Sequence, residues 1–242
     1  MITDCPQTTV SALSFPHQGK TVFYACSPCD RTDKIHLISI LLEHLTMGGM
    51  AIRHTEQSEV YRGHDNDANS HKRAKTFCNA FQIVHDPLGR PKLLLGDCDG
   101  PAVSFSQCGG KLWAAICNDI SDIGIDAAGT DEFSKDYPFG RVFHIEELAS
   151  AVQLTGGDLK KASALLWSVK EASVKALGCA FHLVDPLQTC VSLSDAEEDG
   201  WYSFTVSLLG KALERFPLLA GRHIMVRSLF QEDVWLSIAL LT

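Results

Sequence analysis

WSVKEASVKALG, residues Trp167–Gly178, places two lysines and a glutamate along a helix-patterned run that ends on glycine. At the α-helical period Trp167, Glu171 and Lys175 recur on one face, with Lys170 flanking them. Leu166, Val169, Ala172, Ser173 and Ala176 form the neighbouring face, directed at a core. Taken alone, a Glu followed four residues later by Lys is a routine solvated pair worth about 0.3 kcal/mol. A second segment changes its meaning. In SDIGIDAAG, Ser121–Gly129, Asp126 interrupts an apolar strand-like run. A carboxylate buried there requires a hydrogen-bond donor, a cation or a metal ion. A turn or cap carboxylate is the alternative, since Gly129 and Thr130 follow closely.

Outward from the motif, the pattern predicts helices over Ile145–Leu154 and Leu159–Leu177, separated by Gly156-Gly157, with Gly178 as the C-terminal stop. Strands are expected at Thr21–Ala25, Phe81–Val84, Val103–Ser106, Leu112–Cys117 and Ile120–Ala127, with a turn over Asp86–Pro91. Further strands are expected at Gln188–Leu193, Trp201–Leu208, Ile224–Leu229 and Val234–Leu240, the last two forming a hairpin across Gln231–Asp233. The N-terminal region adds an amphipathic helix at Lys34–Leu45, a polar irregular stretch at Ser58–Ser70 and a helix at Lys72–Phe81. Helices mixed with antiparallel strands make the fold class α+β.

Composition narrows the partners. Residues 1–118 carry 11 basic and 11 acidic residues, whereas 119–242 carry 10 and 18, which gives the net charge of −8. An extended nucleic-acid surface needs a basic face, so no nucleic acid is expected. The group His71, Lys72, Arg73 and Lys75 reads as a solvated face with room for at most a single phosphate. No apolar run reaches the roughly 20 residues needed to span a bilayer, and no charged leader precedes an apolar block, so a cytoplasmic protein without a membrane segment is expected. The odd count of nine cysteines reads as reduced thiols, and Cys26–Cys29 lacks a second pair for a tetrahedral zinc site. No H-E-x-x-H, G-x-S-x-G, P-loop or G-x-G-x-x-G is present.

Together the two segments resemble the 4′-phosphopantetheinyl transferases, in particular the longer, surfactin-synthetase-activator type. That family pairs a Gly-Ile-Asp strand with a downstream aromatic-Ser-x-Lys-Glu-(Ala/Ser)-x-x-Lys helix, here Gly124, Ile125, Asp126 and then Trp167, Ser168, Lys170, Glu171, Ala172, Lys175. RVFHIEEL, Arg141–Leu148, resembles the segment between them, and Gly89, Arg90, Pro91 resemble the family's Gly-(Lys/Arg)-Pro element. Two positions depart from the pattern. Ala128 stands where many members have a second acid, and Ser106-Gln107 stands where Ser-His is usual. Gln donates hydrogen bonds but carries no charge, so either coenzyme A affinity is lower or another cation such as Lys111 compensates. The resemblance extends from about Asp86 to Leu193.

The resemblance implies two pseudo-symmetric halves, 1–118 and 119–242, with the active site in the cleft between them. It implies transfer of the 4′-phosphopantetheine arm of coenzyme A to a serine of an apo acyl or peptidyl carrier protein, of the holo-[acyl-carrier-protein] synthase type. The reaction depends on Mg²⁺ and releases adenosine 3′,5′-bisphosphate. Asp126 and Glu171 are the implied metal ligands, and Glu171, Lys175 and Lys170 the catalytic residues. Gly89, Arg90, Pro91, Ser106, Gln107, Lys170 and Lys175 are the implied coenzyme A contacts. A monomer is expected, since two halves build the cleft within one chain. Ala128 and Gln107 support the alternative, a non-catalytic homologue of the same fold that only binds coenzyme A or a carrier protein.

Overall fold

A computed structural model describes residues 8–29, 34–56, 81–117, 122–133, 137–196 and 199–241. The polar stretch Ser58–Ser70, the basic group at 71–75, the helix expected from Lys72 and the boundary at Asn118–Ser121 lie outside them. The described residues form an α+β fold with antiparallel sheets. β1 (Val10–Phe15), β2 (Lys20–Pro28), β6 (Val103–Cys108) and β7 (Lys111–Cys117) make a four-stranded sheet in the order β1-β2-β7-β6. β3 (Phe81–His85), β4 (Pro91–Leu95) and the short β5 (Cys98–Asp99) make a small second sheet. After residue 121, β8 (Ile123–Gly129), β9 (Thr189–Ala196), β10 (Tyr202–Leu208), β11 (Ile224–Gln231) and β12 (Val234–Leu240) form a five-stranded sheet ordered β8-β12-β11-β10-β9.

Alternation along the strands explains how these sheets are layered. On β7, Leu112, Ala114 and Ile116 pack with Leu37, Ile38 and Leu41 of α1 (Lys34–Glu56). Trp113, Ala115 and Cys117 point the other way, into a core shared with Ile123 and Ile125 of β8 and Leu236, Ile238 and Leu240 of β12. The opposite face of the five-stranded sheet is covered by α2 (Ile145–Leu154) and α3 (Leu159–Ala176). A six-residue helix, α4 (Gly210–Arg215), sits on the β10–β11 connection.

Small residues let α3 lie directly on β8. A Cβ built on Gly124 would stand 1.9 Å from the Ala172 carbonyl oxygen and 2.7 Å from the Ala176 nitrogen, so only glycine fits at that point of the strand. Ser168 fixes the helix to the sheet, because its hydroxyl lies 2.7 Å from that of Ser237, which in turn lies 2.8 Å from Ser228. Asp158 starts α3 by accepting from the Lys160 and Lys161 amides, and Gly178, with φ of 72°, closes it as the Cys179 amide bonds the Val174 carbonyl at 3.0 Å.

The strands differ from the sequence expectation mainly at their ends. α1 continues past Leu45 to Glu56, and β9 runs past the expected Leu193 to Ala196. β1, β4, β5 and α4 were not assigned from sequence. β1 reads VSALSF, whose serines disguise the buried pair Leu13 and Phe15, and its strand state depends on pairing with β2. The hairpin turn between β11 and β12 forms as expected, with Glu232 and Asp233 both at positive φ. Among the described residues no helix is long and apolar enough to cross a membrane, and seven cysteines are free thiols.

Candidate functional site

Two sheet edges meet beside α3, and serine side chains join them. β8 is the edge of the five-stranded sheet and β6 the edge of the four-stranded one. The Ile125 amide donates to the Ser104 hydroxyl at 3.0 Å and the Ala127 amide to the Ser106 hydroxyl at 3.1 Å. Buried amides that would otherwise lack acceptors are satisfied in this way. Ser106 then donates to Asp126 Oδ1 at 2.9 Å, which holds the carboxylate at the seam.

Asp126 is buried, and it faces Lys175, whose Nζ lies 2.6 Å from Oδ1. The same ammonium donates to the Ile125 carbonyl at 3.2 Å and reaches the Phe105 carbonyl at 3.4 Å. Burial raises the Asp126 carboxyl above its ordinary value, while Lys175 and Ser106 oppose that shift. Glu171, one turn before Lys175, has no hydrogen-bond partner among the described residues. Burial first, and then the neighbouring Asp126 charge, push its carboxyl up to about 7, with Lys175 opposing.

These groups line an open cleft of about 420 Å³, together with Ser106, Gln107, Trp167 and Glu132. An adjoining pocket of about 240 Å³ is lined by Gly89, Arg90, Pro91, His85 and Gly178. Lys34, Phe105 and Lys175 line both. The Arg90 guanidinium pairs with Asp122 and rests against Gly178, where any Cβ would meet it at 3.0 Å. The Asp86 carboxylate fixes the turn carrying Arg90 by accepting from the Leu88 and Arg90 amides at 2.8 and 2.9 Å.

The structure therefore brings together Asp126, Glu171, Lys175, Ser106 and Gln107, with Gly89, Arg90 and Pro91 next door. Lys170 is not with them. It is fully buried on the other side of α3, its ammonium 2.6 Å from Glu147 Oε1 and donating to the Pro186 and Thr189 carbonyls at 2.9 and 2.8 Å. Glu147 is equally committed, accepting from the His144 and Val191 amides at 2.8 and 2.9 Å. An ammonium with its three protons in use has none left for a phosphate. Lys111, the expected compensating cation, is also elsewhere, paired with Glu232 at the β11–β12 turn.

Two cleft residues were missed from sequence. Ala128 points into the hydrophobic core at 1% exposure, so the strand offers no second acid there. Glu132 returns a carboxylate instead: a single 3₁₀ turn, Thr130–Glu132, follows β8, and Glu132 Oε1 accepts from the Gly129 amide at 3.0 Å. Burial and Glu132 push the Cys108 thiol up to about 12, so it stays protonated beside that carboxylate at 3.6 Å. Its position six residues after Asp126 was the available signal. Lys34 gave no local signal, because only the tertiary structure carries the start of α1 to the cleft.

Divalent cation chemistry suits this donor set. Asp126, Glu132 and Glu171 present hard oxygen ligands to one cleft, and Mg²⁺ takes only one or two carboxylates, completing its shell with water and phosphate. Among the described residues no group of three or more His, Cys, Asp and Glu is already drawn together around an ion position. The site thus brings acids and cations to one groove, and water and substrate oxygens would complete the shell of a metal held there.

No curated protein matches the chain. Residues 122–224, which include Asp126, Glu132, Glu171 and Lys175, match the family model described as the 4′-phosphopantetheinyl transferase superfamily. Over that stretch the chain is similar to the 4′-phosphopantetheinyl transferase superfamily.

Proposed function

We propose that the chain transfers the 4′-phosphopantetheine arm of coenzyme A to the serine hydroxyl of an apo acyl or peptidyl carrier protein. The observation that carries this reading is the cleft in which Asp126, Glu171 and Lys175 stand together, continuous with the pocket lined by Arg90. Arg90 and the Gly89–Pro91 turn suit the nucleotide end, and Lys175 suits the pyrophosphate as a compact charge. The serine oxygen forms a bond to the phosphorus that carries the pantetheine arm. The bond from that phosphorus to the leaving adenosine 3′,5′-bisphosphate breaks. Glu171, with a carboxyl near 7 and no hydrogen-bond partner among the described residues, accepts the serine proton. Asp126 is held by Ser106 and Lys175, so it orients the ammonium as well as supplying oxygen.

Asp126, Glu171 and Glu132 would hold Mg²⁺, which when bound neutralises charge developing on the phosphate oxygens. Lys170 has a structural role in this reading, because its ammonium is spent inside the core.

The test is incubation of the protein with coenzyme A, Mg²⁺ and a panel of apo-carrier proteins, read by intact mass. A gain of one phosphopantetheine arm that is lost with chelator and in Glu171→Gln is the expected result. Near-normal transfer by Glu171→Gln removes that residue from the mechanism. Coenzyme A binding without transfer to any carrier overturns the enzyme in favour of the binding-only alternative that Ala128 and Gln107 suggested.

A further inference from the structure

Arg90 is held from three directions, by residues far apart in the chain. Its backbone is set by the Asp86 turn, since the Arg90 amide donates to Asp86 Oδ1 at 2.9 Å and the Arg90 carbonyl accepts from the Asp86 amide at 3.0 Å. Its side chain lies along the C-terminal end of α3, where Gly178 leaves room for it. A Cβ on Gly178 would stand 3.0 Å from both Cδ and Nη1 of Arg90. The end of a helix, with its carbonyls directed outward, favours a cation at that point. The third holder is the Asp122 carboxylate, which pairs with Nη2.

The two partners face different spaces. Arg90 lines the pocket of about 240 Å³ beside the cleft and also a smaller one of about 190 Å³, whereas Asp122 lines only the smaller. The carboxylate therefore backs the guanidinium from outside the pocket that adjoins the cleft. Nε and Nη1 of Arg90 have no hydrogen-bond partner among the described residues. A guanidinium is a rigid planar fork, so holding Nη2 sets the direction of the remaining N–H groups. Asp122 is itself anchored, because its carbonyl accepts from the Leu241 amide at 2.9 Å, and it stands four residues before Asp126. The pair thus ties the turn before β4 to the strand that carries the cleft carboxylate. With the Asp122 side chain 41% exposed, water screens the pair and it adds little to stability. Its consequence is direction.

We propose that Asp122 is a positioning residue of the nucleotide pocket, aiming the unpaired N–H groups of Arg90 into it. The proposal rests on the reading of the cleft and its adjoining pocket as a coenzyme A site. Asp122 touches no part of the ligand and acts only through Arg90, so its effect on affinity exists only while that side chain is present.

The experiment is calorimetric titration of coenzyme A into the full chain without divalent cation, using wild type, Asp122→Asn, Asp122→Glu, Arg90→Gln and Asp122→Asn combined with Arg90→Gln. Pantetheine, which lacks the nucleotide, serves as the second probe. Removing a carboxylate also makes the surroundings less negative, but that long-range effect is shared by both Arg90 backgrounds and drops out of their comparison. Asp122→Asn is expected to weaken coenzyme A about threefold when Arg90 is present, and not to weaken it in the Arg90→Gln background. Asp122→Glu, whose longer side chain has the smaller pocket to occupy, should recover most of the affinity, and pantetheine should bind wild type and Asp122→Asn alike. Coenzyme A affinity that is unchanged in Asp122→Asn, or lowered equally in both backgrounds, overturns the assignment while leaving the coenzyme A site intact. A matching loss for pantetheine overturns it too, as a general disturbance of the cleft. Failure of wild type to bind coenzyme A overturns the reading of the cleft, and this proposal with it.

Discussion

Helix α3 carries two lysine–carboxylate pairs on opposite sides, and they are put to different uses. At Lys170 and Glu147 every strong hydrogen-bonding position has a protein partner, and both side chains are sealed at 0% and 1% exposure. At Lys175 and Asp126 the lysine remains 27% exposed, and Glu171 stands beside the pair with no hydrogen-bond partner among the described residues. Sequence type alone does not separate them, since each is a basic residue matched with an acid. The number of bonds left unmade does. A ligand is bound where hydrogen-bonding and charge capacity remain open, and the chain is held together where they are used up.

Removing the sealed lysine breaks that contrast most severely. Lys170→Ala leaves the Glu147 carboxylate buried without its cation, a loss of roughly 3–5 kcal/mol for a buried pair. Denaturant unfolding should show this as a large fall in midpoint. A well-folded Lys170→Ala with weakened coenzyme A binding would reverse the two roles assigned here. Gly124→Ala acts next in size, on the contact that brings Asp126 to α3. The added methyl meets the Ala172 carbonyl, and overpacking of this kind costs about 3 kcal/mol. Thermal melts that match wild type would show that β8 and α3 separate without penalty.

The smallest effect is a pH dependence on the cleft side. The Glu171 carboxyl is raised to about 7 from an ordinary 4.5, so the folded state binds its proton more tightly than the unfolded state. Its contribution is therefore fully present below the unfolded value and is lost as pH rises through 7. In chelator the melting temperature should fall between pH 6 and pH 8 more for wild type than for Glu171→Gln. Identical slopes would mean that Glu171 is better solvated than its burial implies.

Much of this arrangement was legible in the sequence. The four-residue recurrence of Trp167, Glu171 and Lys175 placed them on one face, and all three line the cleft. The apolar run around Asp126 marked a buried carboxylate, and Gly178 marked the helix end. Local patterning carries such information because helical and strand periods are short-range geometry. Lys170 was misplaced for the same reason. Its angle on the helix is close to the boundary between faces, and only the approach of Glu147 from α2 and of the Pro186 and Thr189 carbonyls decides which side it joins.

The sequence by itself determined the α+β class, the extent of α3, the position of Asp126 in a strand and its pairing with a downstream Lys-Glu helix. Tertiary structure alone decided which cations remain available. It used Lys111 at a turn and Lys170 in the core, brought Lys34 across from α1, and returned Glu132 by a 3₁₀ turn after Ala128 had been absorbed into the core. Charge is written residue by residue, but whether it is free to meet a ligand depends on partners distant in the chain, which no local period encodes.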